Sequence, residues 1–187
     1  MTKSTLLDSE IYREDVSRIV ELDLEWDHLH NATLIVSGAS GMVGSFLIDV
    51  LMTRNLTYGM NCTIYGFARN STTLASRFAG YAGHKNLHLL SIDLSTTPID
   101  AVPVQLTYPT KSFVIHAASN AHPTAYASDP IGTIVTNVQG TRTMLDLAVR
   151  TNATRALFTS TVEIYGDNRG GGSDFVNLTL AILIVIH

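Results

Sequence analysis

The chain has 187 residues, of which 45% are hydrophobic and 15% are charged, and its net charge is -4. This length and composition favour one soluble domain with a sizeable core. No run of Lys or Arg offers a footprint for a phosphate backbone, so DNA and RNA are not expected as partners. The only cysteine, Cys62, excludes an internal disulfide and a cysteine-based zinc cluster.

Neither end of the sequence carries a membrane or export signal. Residues 1–15 lack the apolar stretch and the small-residue cleavage site of a secretory peptide. The apolar run 175–186 is shorter than the roughly 20 residues that cross a bilayer, and it contains Asn177 and Thr179. We therefore expect a cytoplasmic protein without membrane contact.

Hydrophobic periodicity predicts that helices and strands alternate along most of the chain. A helix is expected from residue 8 to about 30, because Ile11, Val16 and Ile19 recur at roughly helical spacing. The further predicted strands are 33–37, 62–68, 87–92, 113–116 and 155–160, and the further predicted helices are 42 to about 54, 71–78 and 130–150.

This alternation predicts an α/β fold with a Rossmann-type, doubly wound parallel sheet and right-handed crossovers. Ser71 is expected to cap one helix, and Pro130 is expected in the first turn of the longest one. We divide the chain into a helical extension at 1–30, a nucleotide-binding domain at 31–169 and an atypical apolar tail at 170–187. Alternating apolar residues in the tail are compatible with a β-strand.

The strongest functional signal is a glycine-rich turn between the first predicted strand and the next helix. In a dinucleotide-binding turn, the first glycine permits the tight bend, the second lets the backbone approach a pyrophosphate, and the third allows close helix–sheet packing. The helix N-terminus adds partial positive charge. A glycine-rich turn without a ligand is the alternative. We expect NAD or NADP to bind at Gly38, Ser40, Gly41, Met42, Val43 and Gly44.

Arg69 follows the second predicted strand, where this kind of fold meets the adenosine ribose. An acidic residue there would hold the 2′-OH of NAD, whereas an Arg can accommodate the 2′-phosphate of NADP. Two other interpretations stay open, namely a solvated Arg and an Arg that lies over the adenine ring.

Three further segments, 66–70, 91–94 and 116–119, complete a pattern with the glycine turn. The pattern resembles the extended short-chain dehydrogenase/reductases, in particular the NAD-dependent epimerase/dehydratase family that acts on nucleotide sugars, over roughly residues 30–169. The resemblance implies that the position of Asp93, beside Leu94, contacts the adenine amino group. It also implies that Asn137 fixes the long helix beside the active site. The segment with a structural His, by the same resemblance, lines the cofactor: His116, Ala117, Ala118 and Ser119.

Residues 158–166 resemble the strand-end segment that supplies the catalytic hydroxyl in this family. By this resemblance, Thr161 hydrogen-bonds the sugar hydroxyl that is oxidised. Members that dehydrate the sugar have an Asp and a Glu after that Thr, whereas this chain has Val162 and Glu163. Because Val162 cannot transfer a proton, epimerase-like or decarboxylase-like chemistry with Glu163 is favoured over a 4,6-dehydratase. Glu163 as a mere strand-end cap is the alternative.

The sequence departs from the family in its catalytic pair. Members use Tyr-x-x-x-Lys on the next helix, because a free Tyr has a pKa of about 10 and needs a neighbouring ammonium to ionise near neutral pH. Here Tyr165 is the last tyrosine and Lys111 the last lysine. Tyr165 precedes Arg169 at the same interval, but we expect it in a loop.

The family's smaller substrate domain also has no counterpart in the sequence. We therefore expect a truncated chain without turnover, whose complete form would bind a nucleotide sugar and be compatible with a homodimer. A non-catalytic NAD(P)-binding module and a non-functional fragment are the alternatives. The histidines show no metal-ligand spacing, so no metal is predicted.

Overall fold

The computed structural model describes residues 6–106, 111–119, 123–160 and 181–184. Six strands form one sheet in the order β3-β2-β1-β4-β5-β6. The strands are β1 (Thr33–Ser37), β2 (Thr63–Ala68), β3 (Leu87–Ser91), β4 (Ser112–His116), β5 (Arg155–Thr159) and β6 (Ala181–Ile184). The helices are α1 (Glu10–Val20), α2 (Met42–Tyr58), α3 (Ser71–Arg77), α4 (Pro123–Ser128) and α5 (Pro130–Arg150).

β1 is the central strand, and it pairs in parallel with β2 on one side and β4 on the other. The chain builds outward through β2 and β3 and then crosses to β4, so the strand order reverses between β1 and β4. All five residues of β1 are buried, as expected for a strand covered on both faces. The predicted Rossmann-type α/β class is confirmed.

Helices cover the sheet on both faces and enclose two apolar cores. On one face, α2 and α3 pack against β1 and β2 through residues that include Leu34, Val36, Ile48, Leu51, Leu74 and Phe78. On the other face, α5 packs against the sheet through residues that include Ile35, Phe67, Val114, Met144 and Leu147. Within the described residues, no helix combines the length and apolarity needed to span a membrane.

The N-terminal helix is shorter than expected. The prediction of one helix from 8 to about 30 is wrong in extent, because α1 ends at Val20 and a separate 3₁₀ turn follows at Trp26–Leu29. Trp26 explains the change of direction. Its ring packs beside α2 with the Arg54 guanidinium 4.6 Å from the ring centroid, and its Nε1 donates to the Leu22 carbonyl at 2.9 Å. Packing therefore overrides the helical pattern.

The N-termini of α5 and α3 are capped by side chains. Pro130 lies in the first turn of α5 as predicted, and the Asp129 side chain caps this helix by accepting from Gly132 N at 2.9 Å. Ser71 is not a cap, because Asn70 fills that position and accepts from Thr73 N at 2.8 Å.

The sixth strand is the antiparallel edge of the sheet. The first five strands are all parallel, and β6 pairs with β5 in the opposite direction, with Thr159 opposite Ala181. The tail therefore contains a strand, as its alternation allows. Residues 161–180, which include Asn177 and Thr179, lie outside the described residues.

A buried charge pair joins α2 and α3, and the N-terminal helix contributes to it. Arg77 contacts Asp49, and the Asp49 side chain is fully buried. Tyr12 on α1 donates to Asp49 Oδ2 at 2.6 Å and accepts from Arg77 at 2.7 Å. A buried pair adds little net stability, but the loss of one partner leaves an uncompensated charge.

We predict that Asp49→Ala lowers the free energy of unfolding by about 3–5 kcal/mol, because Arg77 then stays buried without its counter-ion. Urea unfolding followed by circular dichroism measures this change. Asp15→Ala is the matched control, since Asp15 pairs with Arg18 at 3.0 Å on the exposed face of α1. Its effect should be far smaller. Equal effects of the two substitutions would contradict the prediction.

Candidate functional site

An open cleft lies at the carboxyl ends of β1, β2, β3 and β4, at the point where the strand order reverses. This is the general position for ligands in open α/β sheets. The lining comes from the turn after β1, from the ends of three other strands and from α5: Gly38, Ser40, Gly41, Phe67, Ala68, Arg69, Ile92, Asp93, Leu94, His116, Ala117, Ala118, Ser119 and Thr136.

The three glycines of the turn have different physical roles. Gly38 has φ of +70°, and a Cβ there would lie 2.5 Å from the Ala117 carbonyl oxygen. A Cβ on Gly44 would lie 2.3 Å from the Gly38 carbonyl oxygen. Gly41 is less confined, because its nearest neighbour would be 3.2 Å away and the residue borders the cleft. Gly38 and Gly44 thus allow close packing, and Gly41 leaves space beside the cleft.

The N-terminus of α2 presents backbone rather than side chains. Gly41 is the N-cap, makes no side-chain capping bond, and the first turn has no acidic residue. The first N–H groups of a helix lack intrahelical partners and carry partial positive charge. Met42 and Val43 are 86% and 56% exposed, so their side chains point away from the core. An anion can therefore approach this terminus without competition from a carboxylate.

Arg69 and Asp93 lie on the part of the cleft formed by β2 and β3. Asp93 Oδ1 accepts from Ser95 Oγ at 2.6 Å and from Ser95 N at 3.0 Å. These hydrogen bonds, with a contribution from the Arg69 charge, lower the pKa of Asp93 against the opposing effect of burial. Asp93 is therefore an ionised acceptor, and Arg69 adds a positive charge nearby.

Ser37 and His116 form a buried hydrogen bond at the cleft wall, with Ser37 Oγ 2.6 Å from His116 Nδ1. The backbone amides of Ala117 and Ala118 donate to the same Ser37 oxygen at 3.2 and 3.3 Å. Burial lowers the pKa of His116 to about 4. The imidazole is therefore neutral near pH 7, which agrees with the structural role expected for it.

Asn137 does not line the cleft itself but contacts Ser119, which does. Ser119 donates from its hydroxyl to Asn137 Oδ1 at 3.0 Å, and Thr141 donates to the Asn137 carbonyl at 2.6 Å. Ser119 and Thr136 border the cleft themselves. Asn137 thus ties α5 to the segment after β4, and its side chain supports a residue of the cleft wall.

The structure brings most of the expected cofactor residues together. Those that line the cleft are Gly38, Ser40, Gly41, Arg69, Asp93, Leu94, His116, Ala117 and Ala118. Those that lie beside or behind it are Met42, Val43, Gly44 and Asn137. The expected catalytic residues Thr161 and Glu163 lie outside the described residues. In the described part of the chain, no three His, Cys, Asp or Glu side chains form a candidate metal site.

Several lining residues were not expected from the sequence. Three of them lie at strand ends, directly before the expected Arg69 and Asp93: Phe67, Ala68 and Ile92. Their place at the carboxyl ends of parallel strands could have predicted that they line the cleft. Ser119, by contrast, belongs to segment 116–119, which the family resemblance places along the cofactor. Thr136 had no such signal, because only the packing of α5 brings it to the cleft.

Residues 34–179 match the family described as NAD dependent epimerase/dehydratase. The chain belongs to the NAD-dependent epimerase/dehydratase family. It is 36% identical over 137 residues, which are 73% of this chain, to UDP-glucuronic acid decarboxylase 5 of Arabidopsis thaliana. It is also 36% identical over 135 residues, 72% of this chain, to UDP-glucuronic acid decarboxylase 1 of Danio rerio. The chain spans 36% and 28% of the lengths of these two relatives.

Solved structures of similar fold include two enzymes that act on nucleotide sugars. The UDP-N-acetylglucosamine 4-epimerase of Methanobrevibacter ruminantium has a TM-score of 0.60 at 18% identity, over 78% of this chain and 43% of the epimerase. The dTDP-glucose 4,6-dehydratase of Streptomyces venezuelae, solved with NAD bound, has a TM-score of 0.60 at 21% identity, over 75% of this chain and 42% of the dehydratase. The expected family and its NAD-type cofactor are confirmed at the level of the epimerase/dehydratase family.

The closely packed Gly44 and the less confined Gly41 predict losses of stability of different size when one methyl group is added. We predict that Gly44→Ala lowers the free energy of unfolding by about 1–3 kcal/mol, because its Cβ must displace backbone atoms. Gly41→Ala is the matched control and should change it by no more than about 1 kcal/mol. Urea unfolding measures both variants. A Gly44→Ala variant as stable as Gly41→Ala would refute the assigned packing.

Proposed function

We propose that residues 31–169 form an NAD(P)-binding domain that holds the dinucleotide in the cleft at the ends of β1 to β4. The decisive support is that three features meet where the strand order reverses: the Gly41 turn, an uncapped helix N-terminus and the charged side chains of Arg69 and Asp93. A dinucleotide needs all three kinds of group, because it has a pyrophosphate, a ribose and an adenine ring.

The residues present fit the chemistry of this cofactor. The first-turn amides of α2 would hold the pyrophosphate. The pyrophosphate can approach them closely because Gly41 has no side chain. Asp93 would accept a hydrogen bond from the adenine amino group, and Arg69 would lie near the adenosine ribose. When bound, the nicotinamide ring supplies a hydride acceptor. The wall formed by Ala117, Ala118 and Ser119 admits a flat ring, since its side chains are small.

Replacement of Gly41 by Val should abolish cofactor binding while the fold persists, because the added methyl groups enter the space beside the cleft. In the unchanged protein, cofactor at 100 times Kd should add about 2.7 kcal/mol of stability, since only the folded state binds it. Thermal unfolding and calorimetric titration with NAD and NADP measure this effect.

Gly80→Val is the matched control, because Gly80 is exposed in a turn and its nearest neighbour is 3.9 Å from the position that a Cβ would take. It should bind cofactor normally. A folded Gly41→Val variant that binds NAD and NADP like the unchanged protein would overturn the proposed site.

Arg69 decides the choice between the two cofactors in this proposal. Arg69→Asp should weaken NADP binding by more than about tenfold and affect NAD binding much less, because a carboxylate repels the 2′-phosphate and accepts from the 2′-OH. Competition binding with both cofactors measures the preference. Arg142→Asp is the control, since Arg142 is 73% exposed on α5. Equal losses for NAD and NADP would show that Arg69 does not meet the 2′ position.

We further propose that a protein containing this domain acts on a nucleotide sugar, by epimerase-like or decarboxylase-like chemistry. The identity to UDP-glucuronic acid decarboxylases favours decarboxylation. Val162, which stands where dehydrating members have an acid, argues against a 4,6-dehydratase. Thr161 would bind the reacting sugar hydroxyl, and Glu163 would transfer a proton. Joined to the Tyr-x-x-x-Lys segment and the substrate domain of a UDP-glucuronic acid decarboxylase, the domain should release CO₂ from UDP-glucuronic acid. Loss of water from dTDP-glucose would contradict this assignment.

For the 187-residue polypeptide alone we predict cofactor binding without turnover. No lysine follows Thr161 in the sequence, and general-base assistance typically contributes about 10²–10⁴-fold. Incubation with UDP- and dTDP-sugars and either cofactor, followed by analysis of reduced cofactor and product sugars, tests this. Turnover that is lost in Thr161→Ala would show that Tyr165 and Arg169 act as the catalytic pair. Binding without turnover is the result we expect, and it is also the result expected of the second candidate function, a non-catalytic dinucleotide-binding module.

A further inference from the structure

Ser37 and His116 end adjacent strands and lie side by side at the buried edge of the cleft. Ser37 is the last residue of β1 and His116 the last residue of β4, and the two are paired in register. Ser37 is 0% exposed and His116 is 4% exposed. Each directly precedes backbone that lines the cleft, since Gly38 follows Ser37 and Ala117 follows His116. The hydrogen bonds of this pair therefore affect the position of the backbone on both sides of the cleft.

The partners of Ser37 determine the direction of its hydroxyl proton. A hydroxyl has one proton to donate and two lone pairs to accept with. The Ser37 oxygen contacts three nitrogens, those of the Ala117 amide, the Ala118 amide and His116 Nδ1. The two amides can only donate. Of these three partners, only His116 Nδ1 can accept the Ser37 proton.

This direction also fixes the tautomer of the imidazole. Because Nδ1 accepts, the proton of the neutral ring is on Nε2. Nε2 is buried and meets no hydrogen-bond partner among the residues that the structure describes, which costs free energy. The opposite tautomer would leave both the Ser37 proton and the Nε2 lone pair unsatisfied. Burial lowers the pKa of His116 to about 4, and no charged side chain of the described segments contributes to that shift, so the neutral ring persists well below pH 7.

We propose that His116 is a positioning residue for the dinucleotide cleft, which as the neutral Nε2–H tautomer takes the Ser37 proton and leaves the Ser37 lone pairs to the Ala117 and Ala118 amides. The position of that backbone matters, because the Ala117 carbonyl and Ala118 amide lie against Gly38 within 2.5 and 2.8 Å of where a Cβ would be. His116 thus sets the spacing between the glycine turn and the opposite wall. Only the effect on affinity rests on the proposed cofactor site.

Nitrogen-15 NMR of histidine side chains tests the tautomer in the unchanged chain, without any cofactor. The resonance that disappears in His116→Asn identifies His116 among the seven histidines. We expect an unprotonated Nδ1, a protonated Nε2 and no titration above about pH 5, in line with the lowered pKa. A protonated Nδ1, or a midpoint near the ordinary histidine value of about 6.5, would overturn the proposal.

Two substitutions then separate the acceptor from the bulk of the ring. His116→Phe keeps the ring and removes the acceptor, so we expect NAD binding to weaken by about tenfold. His116→Asn places an amide oxygen near the position of Nδ1 and should restore most of the affinity. His28→Phe is the control, because the His28 side chain is 63% exposed in the turn before β1.

The outcomes distinguish this proposal from the proposed function. Folded His116→Phe that binds NAD normally, or His116→Asn that binds no better than His116→Phe, would refute the positioning role. If the unchanged chain binds neither NAD nor NADP, the proposed function fails, and the NMR measurement still decides the tautomer and the Ser37 bond. If a variant does not fold, the unchanged chain still gives that answer.

Discussion

The contact between Gly38 and the backbone of Ala117 and Ala118 is the constraint on which the rest of the cleft depends. β1 and β4 are neighbours in the sheet, and both chains leave it at the same edge. They can do so at this distance only because Gly38 has no Cβ and adopts a positive φ. Gly44, the third residue of α2, packs equally closely, because a Cβ there would overlap the Gly38 carbonyl. A side chain at Gly38 would push the turn away from the segment after β4, and a side chain at Gly44 would push α2 away from the turn.

The chemistry of the cleft follows from this close packing. With α2 held against the end of β1, its uncapped N-terminus faces the space between the two halves of the sheet. The ends of β2 and β3 bring Arg69 and Asp93 to the same space, although they are distant in sequence from the residues after β4. Membership of the NAD-dependent epimerase/dehydratase family agrees with this arrangement. The buried bond between Ser37 and His116 holds the wall opposite the glycine turn.

The elements and much of the site could be predicted from the sequence, because both depend on local patterns. A buried strand, a glycine turn and a helix are all visible in residues 33–54, and strand-end positions such as Arg69 follow from the parallel sheet. The break after Val20 could not be predicted, since it depends on Trp26 packing against Arg54 of a different helix. The place of Thr136 in the cleft and the Ser37–His116 hydrogen bond could not be predicted for the same reason. They arise where distant segments meet.

A backbone amide NMR titration of the chain with NAD and NADP locates the dinucleotide site most directly. We expect the largest shifts on the amides of Gly41, Met42, Val43, Ala117 and Ala118, with further shifts near Arg69 and Asp93. The amides of α1, on the far side of α2, should change little. Shifts centred elsewhere, or no shifts with either cofactor at millimolar concentration, would contradict the assignment of this cleft as the dinucleotide site.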